Sequence, residues 1–266
     1  MSDADSKPPK VSASSQIADS LSSFLGASYE PEMLTEDKGK EAFHDRFNHR
    51  MVHIGLRRQH NIEAVFEVAF EVAENPQDVE RDWLARFHAC AEQVGDADMQ
   101  HVWGVVLAKE FENPGSVSLT SLACLSNMTA RDMELWERVG RMTFSEGYVF
   151  KVGGRNQFER FGVSKSDVLH LQTLGLLQQA QDLSVTFSAE TKALTFSFRT
   201  ADVILRHPEL KLFTLPAFKL SSAGLQLFNL LIDSPVNEDY LRAFGTELGP
   251  HGYEYRIRLA DGSLVQ

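Results

Sequence analysis

The chain has 266 residues, 43% of them hydrophobic and 24% charged, enough for one large domain or two smaller ones with buried cores. With 37 acidic against 26 basic residues, the formal net charge of −11 opposes generic binding to nucleic acid unless the basic residues cluster. The two cysteines, Cys90 and Cys124, make neither a disulfide framework nor a metal-ligand pair, which fits a reducing cytoplasm, and no apolar run reaches the length of a membrane span.

Residues 1–15 are rich in Ser, Lys, Asp and Pro, the composition of a disordered tail. Ile17, Leu21, Phe24 and Leu25 then form a short amphipathic segment that ends at Gly26. It reads either as a helix docked on the body or as a partner or membrane-surface helix, although its polar face is serine and aspartate rather than lysine. From Thr35 the spacing predicts a long helix with Phe43, Phe47, Met51 and Ile54 on one side. Arg46, Arg50, His53, Arg57 and His60 recur at four-three-four-three on another side. Residues 40–60 hold five Lys or Arg (Lys40, Arg46, Arg50, Arg57, Arg58) against Glu41 and Asp45, with His44 and His49 adding to the density. This is the one basic island in an acidic chain. Two fates are open to it: neutralisation by Glu63, Glu67, Glu71 or acids of neighbouring helices, or an external stripe that meets phosphates or an acidic partner.

Ile62, Val65, Phe66, Ala69, Phe70 and Ala73 continue that helix or start another. Asn75-Pro76 reads as a cap with proline at the first helical position, before a helix that buries Val79, Trp83, Phe87, Cys90, Ala91 and Val94. The central stretch 96–115 places Met99, Val102, Trp103, Val106 and Leu107 on one face, with Asp96 as cap and Asn113-Pro114-Gly115 as terminator. Gly104 lies inside this helix at a cost of about 1 kcal/mol relative to Ala, which implies close approach of another helix. Trp83, Trp103, Gly104 and Trp136 are therefore the expected structural core. Ser118–Ser126 and a Thr129-capped helix through Arg141, with Met133, Trp136, Val139 and Gly140 on its apolar side, make either a helical hairpin or a helix-turn-helix.

Beyond Gly147 the pattern changes. Tyr148–Val152 is β-prone, and Ser164 or Ser166 caps a helix that ends Leu174-Gly175-Leu176-Leu177. Leu183–Phe187 and Leu194–Phe198 alternate around residues 189–192 as a hairpin. A helix with Leu225, Leu227, Phe228, Leu230 and Leu231 follows, then one from Asn237 to about Leu248, and a strand Tyr253–Leu259. The helix ending Leu174-Gly175-Leu176-Leu177, the two-stranded wing and the helix opened by Leu220-Ser221, with Gly224 and Leu227 in Leu-Ser-x-x-Gly-x-x-Leu spacing, resemble winged-helix domains. Residues 163–200 balance Lys165, Lys192 and Arg199 against Asp167, Asp182 and Glu190, so a protein-binding or structural role suits this part better than DNA.

The order Arg58-Gln59-His60-Asn61-Ile62-Glu63, Asp82-Trp83, Met99-Gln100-His101-Val102-Trp103-Gly104, Leu107-Ala108-Lys109-Glu110 and Pro114-Gly115-Ser116-Val117-Ser118-Leu119 resembles a bacterial domain-of-unknown-function family, number twenty-eight-oh-six. Similar arrangements occur among some abortive-phage-infection proteins. The resemblance implies a helical bacterial cytosolic domain and supplies no catalytic residues.

No phosphate-binding glycine loop, nucleophile elbow or zinc-binding helix motif occurs, and Gly153-Gly154-Arg155 reads as a turn. His49 and His53 could share a metal but lack accompanying acid or thiol ligands, so no metal and no cofactor is expected. Asp82 and Glu110 are either an acid pair in a site or, more often for such residues, a cap or a buried partner for Arg57 or Arg58. The expected architecture is mainly α with a smaller α+β part: a tail and short helix over 1–29, a helical bundle over 30–145 and a winged-helix-like region over 146–266. The expected function is a non-catalytic cytoplasmic interaction protein of unknown protein partner, with homo-oligomers possible. The alternative is a nucleic-acid-associated regulator or phage-defence factor that uses the basic helix 44–60.

Overall fold

The computed structural model describes residues 13–29, 40–152, 158–179, 183–187, 193–206, 213–249 and 252–265. Of the tail expected over residues 1–15, residues 1–12 lie outside them, and 13–15 are instead the first residues of a helix, Ala13–Leu25; the expectations for Thr35, for Gly153-Gly154-Arg155 and for the turn at 189–192 also lie outside them. The helices are α1 (Ala13–Leu25), α2 (Lys40–Val72), α3 (Arg81–Ala91), α4 (Ala97–Glu112), α5 (Leu119–Ser126) and α6 (Ala130–Gly140), then α7 (Lys165–Thr173), α8 (Ser222–Leu231) and α9 (Glu238–Leu248). The strands are β1 (Tyr148–Phe150), β2 (Leu183–Phe187), β3 (Ala193–Ser197), β4 (Ala201–Arg206), β5 (Phe213–Lys219), β6 (Glu254–Leu259) and β7 (Leu264–Val265). Helix dominates, with two small antiparallel sheets ordered β1-β5-β2 and β3-β4-β6-β7. The chain forms two compact units, Met1–Glu63 and Ala64–Gln266, and α2 runs through the boundary without a break.

Side-chain caps start most of the helices. Asp96 accepts from the Met99 amide at 3.0 Å to begin α4, and Ser118 accepts from Ser121 to begin α5. Thr129 and Ser164 each form a reciprocal capping box, with Asp132 and Asp167. The start expected at Pro76 is a correction: α3 begins at Arg81, with Glu80 as its cap. The reason is competition from the end of α4. The Gln77 amide donates to the Phe111 carbonyl at 2.7 Å, and the Gln77 side chain donates to the Glu112 carbonyl at 2.8 Å. Those bonds hold residues 76–80 out of helical geometry.

In the second unit α4 is fully engaged. Trp103 is completely buried, with its ring 5.3 Å from Phe87, which stacks on Trp83 at 5.2 Å. Trp83 donates its indole N–H to the Val117 carbonyl at 2.8 Å. A Cβ on Gly104 would stand 2.4 Å from Val68 Cβ and 2.9 Å from the Val65 carbonyl oxygen. The absence of a side chain is thus what lets α4 and the end of α2 meet. Trp136 of α6 is buried too, and α8 packs on α4 and α5.

The strand partners differ from the expected hairpin. β2 pairs with β5, in register Val185↔Leu215, and β3 pairs with β4, in register Phe196↔Val203. Alternation marks a strand with one buried face; it does not choose the partner. Phe196 and Phe198 are drawn into an aromatic cluster with Phe144, Phe150 and Phe244, ring centroids 5.2–6.1 Å apart. Tyr240 of α9 locks this cluster. Its hydroxyl accepts from the Phe150 amide at 2.9 Å and donates to the Phe150 carbonyl at 3.0 Å, and complete burial pushes its ionisation upward. Tyr240→Phe deletes both bonds within the core and should lower stability by about 1–3 kcal/mol. A urea midpoint equal to that of the parent chain would show that the pair does not hold β1 to α9.

Candidate functional site

The basic row of α2 lies in the first unit. Arg46, Arg50, His53 and Arg57 are half-buried and His60 is exposed. The helical repeat sets Arg46, Arg50 and Arg57 each three residues after Phe43, Phe47 and Ile54, so a cationic row runs directly beside an apolar one. Asp45 falls on the far side of the helix.

Two of these residues receive α1. The Arg57 guanidinium lies 3.9 Å from the centre of the Phe24 ring and donates to the Phe24 carbonyl at 3.3 Å. The chain then turns at Gly26, φ +67°, where a Cβ would come 2.2 Å from His53 Cγ. Glycine is needed there both for its positive φ and for its missing side chain. The turn is tied by the Gly26 amide to Ser22 O at 2.9 Å and by the Tyr29 amide to Ser22 Oγ at 3.0 Å. Further along, the Arg50 guanidinium lies 5.5 Å from the Phe47 ring centre. Arg50 and Arg57 are thus seated on aromatic rings. Among the described residues no ion pair engages Arg46, Arg50, His53, Arg57 or His60. Glu63 accepts instead from the Gln59 side chain at 2.7 Å.

The apolar row beside them is open. Phe43 is 61% exposed, Phe47 42% and Met51 53%, and on other sides of the helix Val52 and Leu56 are 62% and 67% exposed. On α1, Ile17, Leu21 and Phe24 share a face at four and three spacing and are 60%, 42% and 56% exposed. Eight large apolar side chains of this unit are thus exposed among the described residues, against Phe70, Leu119, Leu169 and Leu264 in the second.

Other candidates have structural employment. Glu110 is buried, and its carboxylate accepts from the Gly115 amide at 2.6 Å and the Val117 amide at 2.8 Å. It anchors the loop between α4 and α5, while Asp82 is exposed in the first turn of α3. Neither half of the expected acid pair reaches the other's hydrogen bonds. Among the described residues no group of three His, Cys, Asp or Glu is arranged to hold a metal ion, and no helix is long and apolar enough to cross a membrane. A cleft of about 680 Å³ opens beside the turn at Gly95, with Met99, Trp103 and Leu125 beneath and Cys90, Asp96 and Arg131 at its rim. Its floor residues are buried and Asp96 is committed to capping α4, so the cleft offers a ligand little beyond its rim.

A family model described as protein of unknown function, DUF2806, matches residues 45–244. The chain belongs to this family. The matched span of DUF2806 takes in Arg46, Arg50, His53, Arg57 and His60 and leaves out α1 and Phe43. No curated protein and no solved structure matches the chain.

Arg57→Gln removes both the ring contact and the hydrogen bond that hold the end of α1. An exposed cation–π contact contributes about 0.5–1 kcal/mol, so amides of α1 should exchange about 2- to 5-fold faster while those of α4 keep their protection. Equal exchange in α1 would mean that Arg57 does not fasten it.

Proposed function

We propose that this member of DUF2806 is a non-catalytic interaction protein, and that residues 13–63 carry the surface that binds its protein partner. One observation carries the reading: the row Phe43, Phe47 and Met51 is left in solvent although helical spacing gathers it on one face of α2. Burying such side chains fully is worth about 1.5–3 kcal/mol each. A surface that leaves them exposed, with the exposed Ile17 and Leu21 in the same unit, is best accounted for by a partner that covers them.

A second reading, a nucleic-acid-associated regulator using residues 44–60, is supported by Arg46 and Arg50 having no carboxylate partner among the described residues. It leaves the apolar row without a role, since phosphate contacts are made by cations and polar groups.

Site-specific photo-crosslinking in the native host separates them. A photoreactive amino acid at Phe43 or Phe47 should yield one discrete protein adduct. The same group at the exposed Leu169 or Leu264 should yield none. Adducts of equal strength at all four positions, or at none, would contradict the reading, and adducts to nucleic acid alone would favour the second.

A further inference from the structure

We infer that the occupant of this surface is an acidic amphipathic helix of a partner protein, laid along the row Phe43–Phe47–Met51 with its carboxylates toward Arg46 and Arg50. The inference rests on the reading above and names the chemistry of the partner. Three observations select it.

The first is charge. The formal net charge of the chain is −11, yet Arg46, Arg50 and Arg57 line one flank of the apolar row. Arg46 and Arg50 meet no carboxylate among the described residues. Arg50 sits on Phe47, so a partner that covers Phe47 also meets the guanidinium. Desolvating that group without supplying an acceptor is unfavourable, and a carboxylate supplies one in the strong charge-assisted form. The same reasoning disfavours a second copy of this chain. A two-fold contact sets the same patch on both partners against itself and would bring cation toward cation.

The second is the apolar content. Phe43, Phe47, Met51 and, on α1, Ile17 and Leu21 exceed what a phosphate backbone uses. The large negative charge of the whole chain opposes approach to nucleic acid and to an anionic bilayer alike. A duplex or a bilayer extends past the patch over the rest of an acidic chain, whereas a single short helix covers little more than the patch itself.

The third is precedent on α2 itself. The stripe Phe43, Phe47, Met51, Ile54 continues at helical spacing as Ile62, Val65 and Ala69, which are buried. There another helix packs on it: α4 comes close enough for Gly104 to lie against Val65 and Val68. The stripe takes a helix there, whereas over its first turns, about 12 Å from Phe43 to Met51 at 1.5 Å per residue, its large side chains are exposed. A partner helix of about nine residues or more spans that length.

The test uses the full chain and synthetic labelled helices of about three heptads, with leucine at the apolar positions and either glutamate or lysine elsewhere. Fluorescence anisotropy should show the glutamate helix bound at least about tenfold more tightly than the lysine helix, a difference that decides sign beyond ordinary scatter. Arg46→Glu with Arg50→Glu should reverse that preference, and Arg46→Gln with Arg50→Gln should abolish it should the reversed variant melt early. Phe43→Ser with Phe47→Ser should weaken both helices. The inference is overturned by equal binding of the two helices, by no binding of the glutamate helix, or by a preference that survives charge reversal. Tighter capture by phosphatidylglycerol vesicles or by a DNA duplex, undisplaced by the glutamate helix, overturns it also. If crosslinks at Phe47 persist while the helix preference fails, the partner surface stands and only its chemistry is wrong; if both fail, the surface itself is wrong.

Discussion

Gly104 has no side chain, and the end of α2 occupies the place where one would be. Val68 and the Val65 carbonyl lie within 3 Å of the position of its missing Cβ, so any larger residue forces the two helices apart in a densely packed interior. Much of the second unit follows from that approach. It fixes α4, whose Trp103 then meets Phe87 and, through it, Trp83. Trp83 reaches the Val117 carbonyl and Glu110 the neighbouring amides, which sets the loop that leads into α5. The same helix that gives up its C-terminal stripe to α4 carries an equivalent stripe at its N-terminal end, where the large side chains remain in solvent.

Local rules explain what could be read from the chain. Asp96, Ser118, Thr129 and Asn237 stand directly before apolar-periodic segments, and each accepts a hydrogen bond from an amide in the first turn. Such caps are short-range, so their residues are adjacent in sequence. Pro76 misleads because its own signal is local while the competing bonds come from Phe111 and Glu112, more than thirty positions away. β5 escapes recognition for a related reason. Pro216 sits within it, and proline argues against an inner strand. Yet β1 pairs only with residues 217–219 of β5, so Pro216 lies where that neighbour has ended, and its carbonyl takes the Lys151 amide at 2.7 Å. Strand pairing is likewise non-local: β3 turns to β4 because Phe196 and Phe198 are buried among Phe144, Phe150 and Phe244.

The candidate site is legible in part. Four-and-three spacing identifies the cationic row and the apolar row of α2 separately, because both repeats lie within one helix. What spacing does not contain is that aromatic rings, rather than Glu63, Glu67 or Glu71, attend Arg50 and Arg57. Nor does it distinguish an apolar stripe that is covered from one that is not. Val65 and Phe47 satisfy the same periodicity, and one is buried while the other is open. That difference belongs to tertiary packing, and the functional reading depends on it.

Exposure of the N-terminal stripe is therefore the claim on which the account stands, and methionine oxidation measures it most directly. Met51 lies on the open stripe, whereas Met99 and Met142 are buried in the second unit. Thioether oxidation follows solvent access. With limiting peroxide and peptide-level mass spectrometry of the free, folded chain, Met51 should oxidise at least about tenfold faster than Met99 or Met142. Protection of Met51 equal to that of Met99 would mean that the stripe is already covered, and would contradict the assignment of this face to a partner.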